Sequence, residues 1–309
     1  HDKAGGKGVP NNLIQRIDVL TALEIEDEDD LFPTPAAFPA VHGPLERPVI
    51  AEIEAAMARS AGPILLHAPA GGGKTVIMQM LAERLAKRDV VLLFDGFAGG
   101  RWRDPADARH LARRAITHIA NTLACDHGLC DILIPTQADD DHFIRAFRLR
   151  LEGAVQSLRA KDVDARVVIL LDAIDHAGMA ARAATHERSF AHLLLYSLAA
   201  TPINGVVIVA SCRPERRDDA RGSLTCHEIA VPTLTKPETR ALAAKAGLAN
   251  EGIIALLHTR SAGNPRMLDA LIRETIQTPK TRRAKPAAAG ADLDSLLTFS
   301  LETAFAEAA

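Results

Sequence analysis

The sequence predicts an α/β fold, with a mostly parallel sheet flanked by helices and a small helical domain after it. From about residue 46, short apolar runs rich in β-branched residues alternate with helical patterns, which favours parallel strands joined by crossover helices. After Pro232 the strand patterns stop and helical patterns continue. The apolar runs, such as residues 167–171 and 206–210, are far shorter than the roughly 20 residues that a membrane helix needs.

The predicted elements follow in order along the chain. Strands are predicted over residues 64–67, 90–94, 166–171, 206–210 and 227–231. Helices are predicted over residues 11–25, 46–59, 75–87, 104–124, 139–160, 188–199, 236–246, 251–259, 265–278 and 292–309.

Four regions follow from this pattern. Residues 1–45 combine a helix with an acidic and proline-rich linker, and residues 46–232 form the α/β domain. Residues 233–278 form the helical domain, and residues 279–309 contain a linker and the start of a further helical segment. Because the chain opens on His1 and ends in an alanine-rich helical pattern, we expect it to be a piece of a longer protein.

Composition narrows the classes of function. The chain has 309 residues, 36 Lys and Arg, 39 Asp and Glu, and a formal net charge of −3, so it has no global attraction to nucleic acid. Aromatic residues make up 4%, which argues against a base-stacking surface. Cys125 and Cys130 flank His127 without the spacing of a zinc site, so free thiols are favoured. We therefore expect a cytoplasmic protein without a membrane span and without direct nucleic-acid binding.

The most informative segment is residues 67–75, His-Ala-Pro-Ala-Gly-Gly-Gly-Lys-Thr, between a predicted strand and a predicted helix. It resembles a phosphate-binding P-loop, although Ala68 stands where that pattern has its first glycine. Glycines let successive backbone N–H groups point at phosphate oxygens, and the helix presents its positive end to them. The predicted nucleotide-binding residues here are Ala70, Gly71, Gly72, Gly73, Lys74 and Thr75. Lys74 would contact the β and γ phosphates, and the Thr75 hydroxyl would ligate Mg²⁺.

A second informative segment, residues 166–175, carries carboxylates and resembles a Walker B element. Its apolar strand delivers Asp172 to the carboxyl edge of the sheet, where ligands of open α/β sheets bind. Asp172 is therefore predicted to hold Mg²⁺, and Asp175 to orient or deprotonate the attacking water.

Two further residues complete the predicted site. Arg213 follows the strand over residues 206–210 and is placed to contact the γ-phosphate, although a solvent-exposed arginine is the alternative. Pro265 lies between two predicted helices, in the segment Ser-Ala-Gly-Asn-Pro. A purely structural role, in which this proline starts the second helix, is the alternative to a place in the site. The predicted catalytic residues are thus Lys74, Asp172, Asp175 and Arg213.

These motifs in this order resemble the STAND class of P-loop NTPases, which are relatives of AAA+ proteins. The resemblance implies an ASCE/AAA+-like fold, an ATP or ADP cofactor with Mg²⁺, and Pro265 near the adenine, where it couples the nucleotide to a helical lid. No NKxD element that would read guanine is present in the sequence. A Mg²⁺-dependent and slow ATPase activity is the expected chemistry.

A closer resemblance is to the NTPase core of bacterial antiviral STAND (Avs) proteins, which are NLR-like phage sensors with NACHT-like cores. Residues 93–103, 109–110, 119–121 and 128–135 carry it, and it spans most of residues 40–277. It implies an effector before this core and a sensor after it that binds a viral protein. It also implies a homo-oligomer, commonly a tetramer, that activates the effector. His176 departs from the acidic residue that many STAND proteins have after the second Walker B aspartate.

Three alternatives remain open at this stage. His176 motivates a nucleotide-binding scaffold without turnover. A P-loop kinase for a small molecule would need a second substrate pocket. A STAND-type transcription regulator would need a DNA-binding domain outside this chain, because the basic cluster at residues 282–285 is too small to serve alone.

Overall fold

A computed structural model of the protein describes residues 15–23, 25–41, 43–60, 62–136, 138–184 and 187–277. The predicted helix over residues 292–309, the linker before it and the start of the predicted helix over residues 11–25 lie outside the described residues.

A five-stranded, fully parallel sheet forms the centre of the α/β region. Its strands are β1 (Ile64–His67), β2 (Val90–Asp95), β3 (Val167–Asp172), β4 (Val206–Cys212) and β5 (His227–Ala230), in the spatial order β2-β3-β4-β1-β5. Strand β4 therefore separates β1, which leads into the glycine-rich loop, from β3, which ends at Asp172. The polar residues at the carboxyl ends of these three strands lie along one edge of the sheet.

Eleven α-helices are found in the described ranges. They are α1 (Arg16–Leu23), α2 (Pro48–Arg59), α3 (Lys74–Leu85), α4 (Ala112–Cys125), α5 (Asp140–Arg159), α6 (Asp175–Ala183), α7 (Phe190–Ala200), α8 (Arg217–Arg221), α9 (Lys236–Lys245), α10 (Glu251–Ser261) and α11 (Pro265–Gln277). None of these helices combines the length and apolar composition that a bilayer-spanning segment requires.

The structure corrects the predicted helices at four places. Helix α4 begins at Ala112 and not at residue 104, because a 3-10 turn with Gly99 and Gly100 at positive φ precedes it and residues 104–111 form turns. Helix α2 begins at Pro48, which occupies the first helical position, and not at residue 46. The short helices α6 and α8 were not predicted, because five to nine residues carry too little periodicity to stand out.

The core forms two layers on the two faces of the sheet. All six residues of β3 are buried, and alternate side chains enter opposite layers. Ile169 and Leu171 pack with residues of α4, α5 and α7, whereas Val168 and Leu170 pack with residues of α2 and α3. Burial on both faces explains why the strand is continuously apolar in sequence.

The last three helices, α9–α11, pack around an apolar cluster of their own. Arg47, just before α2, joins this group to the α/β region. Its Nε lies 3.0 Å from Glu238 Oε1, and its Nη2 donates a 2.7 Å hydrogen bond to the Pro232 carbonyl. Both charged side chains are largely buried, so this contact fixes where the helical group begins.

Residues 31–39 form an extended strap along the carboxyl edge of the sheet. Side chains of the α/β region hold this strap mainly by its backbone carbonyls. Asn121 donates to Leu31 O at 2.8 Å, Arg114 to Pro33 O at 3.0 Å, and Arg101 to Pro35 O at 3.2 Å. The strap is part of the acidic and proline-rich linker predicted within residues 1–45.

Candidate functional site

The glycine-rich loop connects β1 to α3 and has the backbone geometry of a phosphate cradle. Gly71 and Gly73 have φ values of 72° and 88°, a conformation that favours glycine. A Cβ on Gly72 would lie 2.8 Å from the Ala68 Cβ, so the alanine in place of the first glycine leaves no room for a side chain at Gly72. No side chain caps α3 at Gly73, so first-turn N–H groups are available to an anion.

Lys74 is the first residue of α3, and its side chain folds back over the loop. Its Nζ donates hydrogen bonds to the carbonyls of Ala68 at 2.6 Å and Pro69 at 3.2 Å. Burial lowers the pKa of Lys74, although the charges of Asp172 and Asp175 act in the opposite direction. The ammonium group thus lies between the loop and both carboxylates, where a phosphate chain would replace the carbonyl contacts.

Three side chains, Thr75 of α3, Asp172 of β3 and Ser211 of β4, form a connected hydrogen-bond network. Thr75 Oγ1 donates a 2.6 Å hydrogen bond to Asp172 Oδ2, and Ser211 Oγ donates a 2.5 Å bond to Asp172 Oδ1. The Ser211 hydroxyl also accepts a 2.9 Å bond from the Ala173 N–H. Burial raises the pKa of Asp172, although the bonds from Ser211 and Thr75 lower it. Sequence reasoning missed Ser211; its one signal was the polar pair that ends an apolar strand.

The residues predicted to hold Mg²⁺ fit that ion. Thr75 Oγ1 and Asp172 Oδ2 are the paired oxygens, and oxygen ligands are what Mg²⁺ prefers. Together they supply two positions, which leaves the others for phosphate oxygens and water. Within the described ranges no group of three or more His, Cys, Asp or Glu could hold a metal by itself, and this includes the neighbourhood of Cys125, His127 and Cys130.

Asp175 is the first residue of α6, lies beside the hydrogen-bonded side chains of Thr75, Asp172 and Ser211, and is 1% exposed. Its Oδ2 is buried and has no hydrogen-bond partner among the residues that the structure describes. Burial raises the pKa of Asp175, and the positive charges of Lys74, Arg213 and Arg216 oppose the rise. An acceptor of this kind is suited to a water or phosphate hydroxyl that arrives with the nucleotide.

His176, the residue that departs from the STAND pattern, occupies an aromatic pocket. Its ring centroid lies 4.6 Å from that of Trp102 and 5.1 Å from that of Phe97. Its Nδ1 lies 3.0 Å from the Ala173 carbonyl, which only accepts, so Nδ1 carries the proton. Burial lowers the pKa of His176 to about 4, so the ring is neutral at pH 7. A carboxylate would lose its solvation between these two rings.

Arg213 immediately follows β4 and is half-buried. Within the described residues its side chain makes no hydrogen bond or ion pair. Its charge lowers the pKa of Lys74 and of Asp175, which places it on the same side of the cradle. Arg213 thus lies on the side of the cradle that carries Lys74 and Asp175, and its contact with a γ-phosphate stays a prediction.

The helical group reaches the phosphate cradle through the start of α11. Asn264 Nδ2 donates a 2.9 Å hydrogen bond to the Ala70 carbonyl, and the Arg266 N–H donates to the Gly71 carbonyl at 3.2 Å. A Cβ on Gly73 would lie 3.4 Å from Pro265 Cγ, so the proline ring faces the loop. Sequence reasoning identified Pro265 but missed Asn264 and Arg266, whose neighbours here are almost 200 residues away.

Asp95, at the end of β2, has a different role. Its carboxylate accepts three backbone N–H bonds, from Ala37 at 2.9 Å, Phe97 at 3.0 Å and Ala98 at 2.9 Å. These bonds occupy both carboxylate oxygens and anchor the strap. Asp95 therefore shapes the edge of the site through its backbone contacts.

Several solved structures are similar to this chain. A Walker-type ATPase of Pyrococcus abyssi superposes with a TM-score of 0.54 at 13% identity, covering 82% of this chain and 73% of that one. The ORC2 protein of Aeropyrum pernix, in ADPNP–ADP complexes, gives a TM-score of 0.47 at 14% identity, covering 87% and 72%. A STAND protein with a tetratricopeptide repeat sensor from Pyrococcus horikoshii gives 0.40 at 15% identity, covering 76% of this chain and 31% of that one. No curated protein matches the chain.

The predicted fold class, a P-loop NTPase with a mostly parallel sheet flanked by helices, is confirmed. The NACHT domain family matches residues 62–248, which is more than half of the chain and contains the glycine-rich loop, Asp172 and Arg213. The chain therefore belongs to the NACHT domain family of P-loop NTPases.

Proposed function

We propose that this chain is an ATP-binding STAND switch module with a slow, Mg²⁺-dependent ATPase activity. One observation carries the proposal: the 2.6 Å contact between Thr75 and Asp172 joins two motifs that lie 97 residues apart. A glycine-rich turn and an acidic strand end that served separate structural roles would have no reason to meet in this way. The NACHT match supports the same nucleotide-binding role.

The side chains divide the chemistry among themselves. The loop backbone over residues 70–75 and Lys74 bind the β and γ phosphates, and Thr75 with Asp172 holds Mg²⁺, which neutralises phosphate charge when bound. Asp175 accepts a proton from water as the water oxygen forms a bond to the γ-phosphorus. The bond from that phosphorus to the β–γ bridging oxygen breaks, which gives ADP and inorganic phosphate. Arg213 stabilises the charge on the γ-phosphate.

The lid contacts connect nucleotide binding with conformation. Asn264 and Arg266 hydrogen-bond to carbonyls of the same loop that would surround the phosphates, and Pro265 lies between them. By the STAND resemblance, Pro265 lies near the adenine. We therefore propose residues 46–232 as the nucleotide-binding domain and residues 233–278 as its lid, whose position responds to the phosphates.

Nucleotide binding and phosphate release test this function directly. Lys74→Ala removes the ammonium group and is expected to weaken ATP binding by roughly tenfold or more, since a charge-assisted contact is lost. Lys87→Ala removes an exposed lysine at the end of the same helical region and is the matched control, expected to bind ATP as the wild type does. Equal ATP affinity in all three proteins contradicts the proposal.

A nucleotide-binding scaffold without turnover is the second candidate. His176 supports the scaffold, because it takes the place of an acidic residue and lies in an aromatic pocket. Asp175 is then left without a second carboxylate beside it to activate water at the γ-phosphate position. Phosphate release by the wild type above the Lys74→Ala level supports the ATPase. Release at that level, with ATP still bound by the wild type, supports the scaffold.

The wider role rests on the resemblance to antiviral STAND proteins. We propose a cytoplasmic switch that controls oligomerisation and effector activation in antiphage defence, with a viral protein trigger recognised by a sensor outside this chain. A homo-oligomer, most simply a tetramer, is expected in the triggered ATP-bound state. Sedimentation of the full-length protein with its trigger and ATP tests this, and an unchanged monomer under those conditions contradicts it.

A further inference from the structure

Two arginines beside the proposed catalytic centre lack counter-ions. Arg213 and Arg216 are both half-buried, and among the half-buried or buried arginines of the described ranges they are the two whose side chains make no hydrogen bond or ion pair. Their neighbour Arg217, by contrast, pairs with Glu228 at 2.8 Å. A partly desolvated guanidinium group without a partner costs free energy, so these two groups point to an anionic ligand.

The fold brings both arginines to the start of α6. They lie in one turn, in which the Arg216 N–H donates a 3.0 Å bond to the Arg213 carbonyl. Helix α8, which follows Arg216, packs directly on α6, where a Cβ on Gly178 would lie 1.8 Å from the Asp219 carbonyl oxygen. This packing holds the turn against the first residues of α6, Asp175 and His176.

The two arginines differ in their distance from the cradle. Both act electrostatically on Asp175 and on His176, and Arg213 has the larger effect on each. Arg213 also acts on Lys74, where its effect exceeds that of Arg216. Arg213 directly follows the last residue of β4 at the carboxyl edge of the sheet, whereas Arg216 lies further along the chain, directly before α8. Arg213 is therefore the inner of the two and Arg216 the outer.

A third group completes the neighbourhood. The buried Oδ2 of Asp175 has no hydrogen-bond partner in the described residues and can only accept while ionised. A γ-phosphate ester has no hydroxyl to offer, whereas hydrogen phosphate has one. His176 is held neutral in its aromatic pocket and adds no charge of its own. The surroundings therefore offer two guanidinium groups, each with paired N–H donors, and one carboxylate acceptor. Hydrogen phosphate has the matching groups, since its oxygens accept hydrogen bonds and its hydroxyl donates one.

We infer that Arg216, together with Arg213 and Asp175, forms a product site that holds inorganic phosphate after the γ-phosphate has left ADP. The inference rests on the proposed ATPase function. In this site Asp175 passes the proton that it took from water on to a phosphate oxygen, which gives dihydrogen phosphate. The guanidinium groups bind phosphate oxygens, and the Asp175 carboxylate, ionised again, accepts a hydrogen bond from a phosphate hydroxyl. Phosphate then leaves outward past Arg216, and the ADP state is reached when it has gone.

Phosphate binding to the protein loaded with ADP and Mg²⁺ tests the inference without any need for turnover. Isothermal titration with inorganic phosphate is expected to give an affinity at least tenfold weaker for Arg216→Gln than for the wild type, since a charge-assisted contact is lost. Arg216→Lys keeps the positive charge but loses the paired N–H donors of the guanidinium group, and an intermediate affinity for phosphate is expected. Arg113→Gln removes an exposed arginine whose side chain has no partner in the described part of the chain, and it serves as the matched control, with wild-type affinity expected.

A second measurement separates this site from the nucleotide site. ATP affinity is expected to be unchanged in Arg216→Gln and weakened in Arg213→Gln. Wild-type phosphate affinity in Arg216→Gln overturns the product site, even if ATP binding and hydrolysis proceed as proposed. If the wild type does not bind ATP, the proposed function is overturned instead. The comparison of ATP affinity between the wild type and Lys74→Ala detects that case independently.

Discussion

Acidification is expected to destabilise the protein through His176. The imidazole is 4% exposed, packs at a tilt against Trp102 and Phe97, and has a pKa of about 4 against an ordinary 6.5. Between these two values the unfolded chain binds a proton that the folded chain does not. The stabilising contribution is therefore full above pH 6.5 and is lost as the pH falls towards 4.

The magnitude follows from the gap between the two pKa values. At about 1.36 kcal/mol for each pKa unit, the full effect is about 3 kcal/mol, of which about 2 kcal/mol is lost between pH 7 and about pH 5. Asp172 and Asp175 work in the opposite direction, because burial raises their pKa values and protonation in the folded state then stabilises it. A comparison with a variant at His176 cancels these carboxylate contributions.

The variant His176→Asn keeps a donor for the Ala173 carbonyl and removes the titrating ring. The variant also loses the ring contacts with Trp102 and Phe97, and this loss is the same at both pH values. Urea denaturation of both proteins at about pH 7 and about pH 5 is therefore expected to show the wild type losing about 2 kcal/mol more than the variant. Equal losses in the two proteins would refute the reasoning, since the buried imidazole would then have no lowered pKa.

Three further predictions concern contacts described above. Ser211→Ala removes a hydrogen bond to the metal-binding carboxylate and is expected to weaken Mg²⁺-dependent ATP binding about tenfold, measured by titration of Mg²⁺ at fixed nucleotide. Gly178→Ala places a methyl group against a backbone carbonyl and is expected to cost about 3 kcal/mol in urea denaturation, whereas Gly153→Ala in an open helical position is expected to stabilise by about 0.5 kcal/mol. Arg47→Met removes the ion-pair partner of a largely buried glutamate and is expected to cost about 3 kcal/mol, whereas Arg240→Met breaks the exposed Arg240–Glu251 pair and is expected to cost much less.

The local parts of the site were predictable from the sequence. A glycine-rich turn between a strand and a helix has few physical interpretations, and an apolar strand that ends in Asp172 must present that carboxylate at the carboxyl edge of a parallel sheet. Both follow from neighbours in the chain. The parallel sheet itself was predictable because buried strands are continuously apolar and alternate with helices.

The remaining contacts depend on the strand order, which no local pattern encodes. Ser211 meets Asp172 because β4 lies beside β3, and Asn264 meets Ala70 because the helical group folds back over the loop. The pocket of His176 needs Trp102, a residue more than 70 positions away. In each case the side chain is ordinary in sequence, and its role comes from a neighbour that only the fold supplies.

The strap over residues 31–39 has a consequence for how this protein tolerates change. The groups that hold it, among them Asn121, Arg114 and Arg101, bind its carbonyl oxygens, which every amino acid possesses. At the exposed positions Pro35, Ala36, Ala37 and Pro39 the α/β region thus holds the strap by its backbone, whereas Phe32, packed against His118, and the buried Thr34 are also fixed by their side chains. Substitutions that preserve an extended backbone can accumulate at those exposed positions while the connection to the segment before the strap is retained.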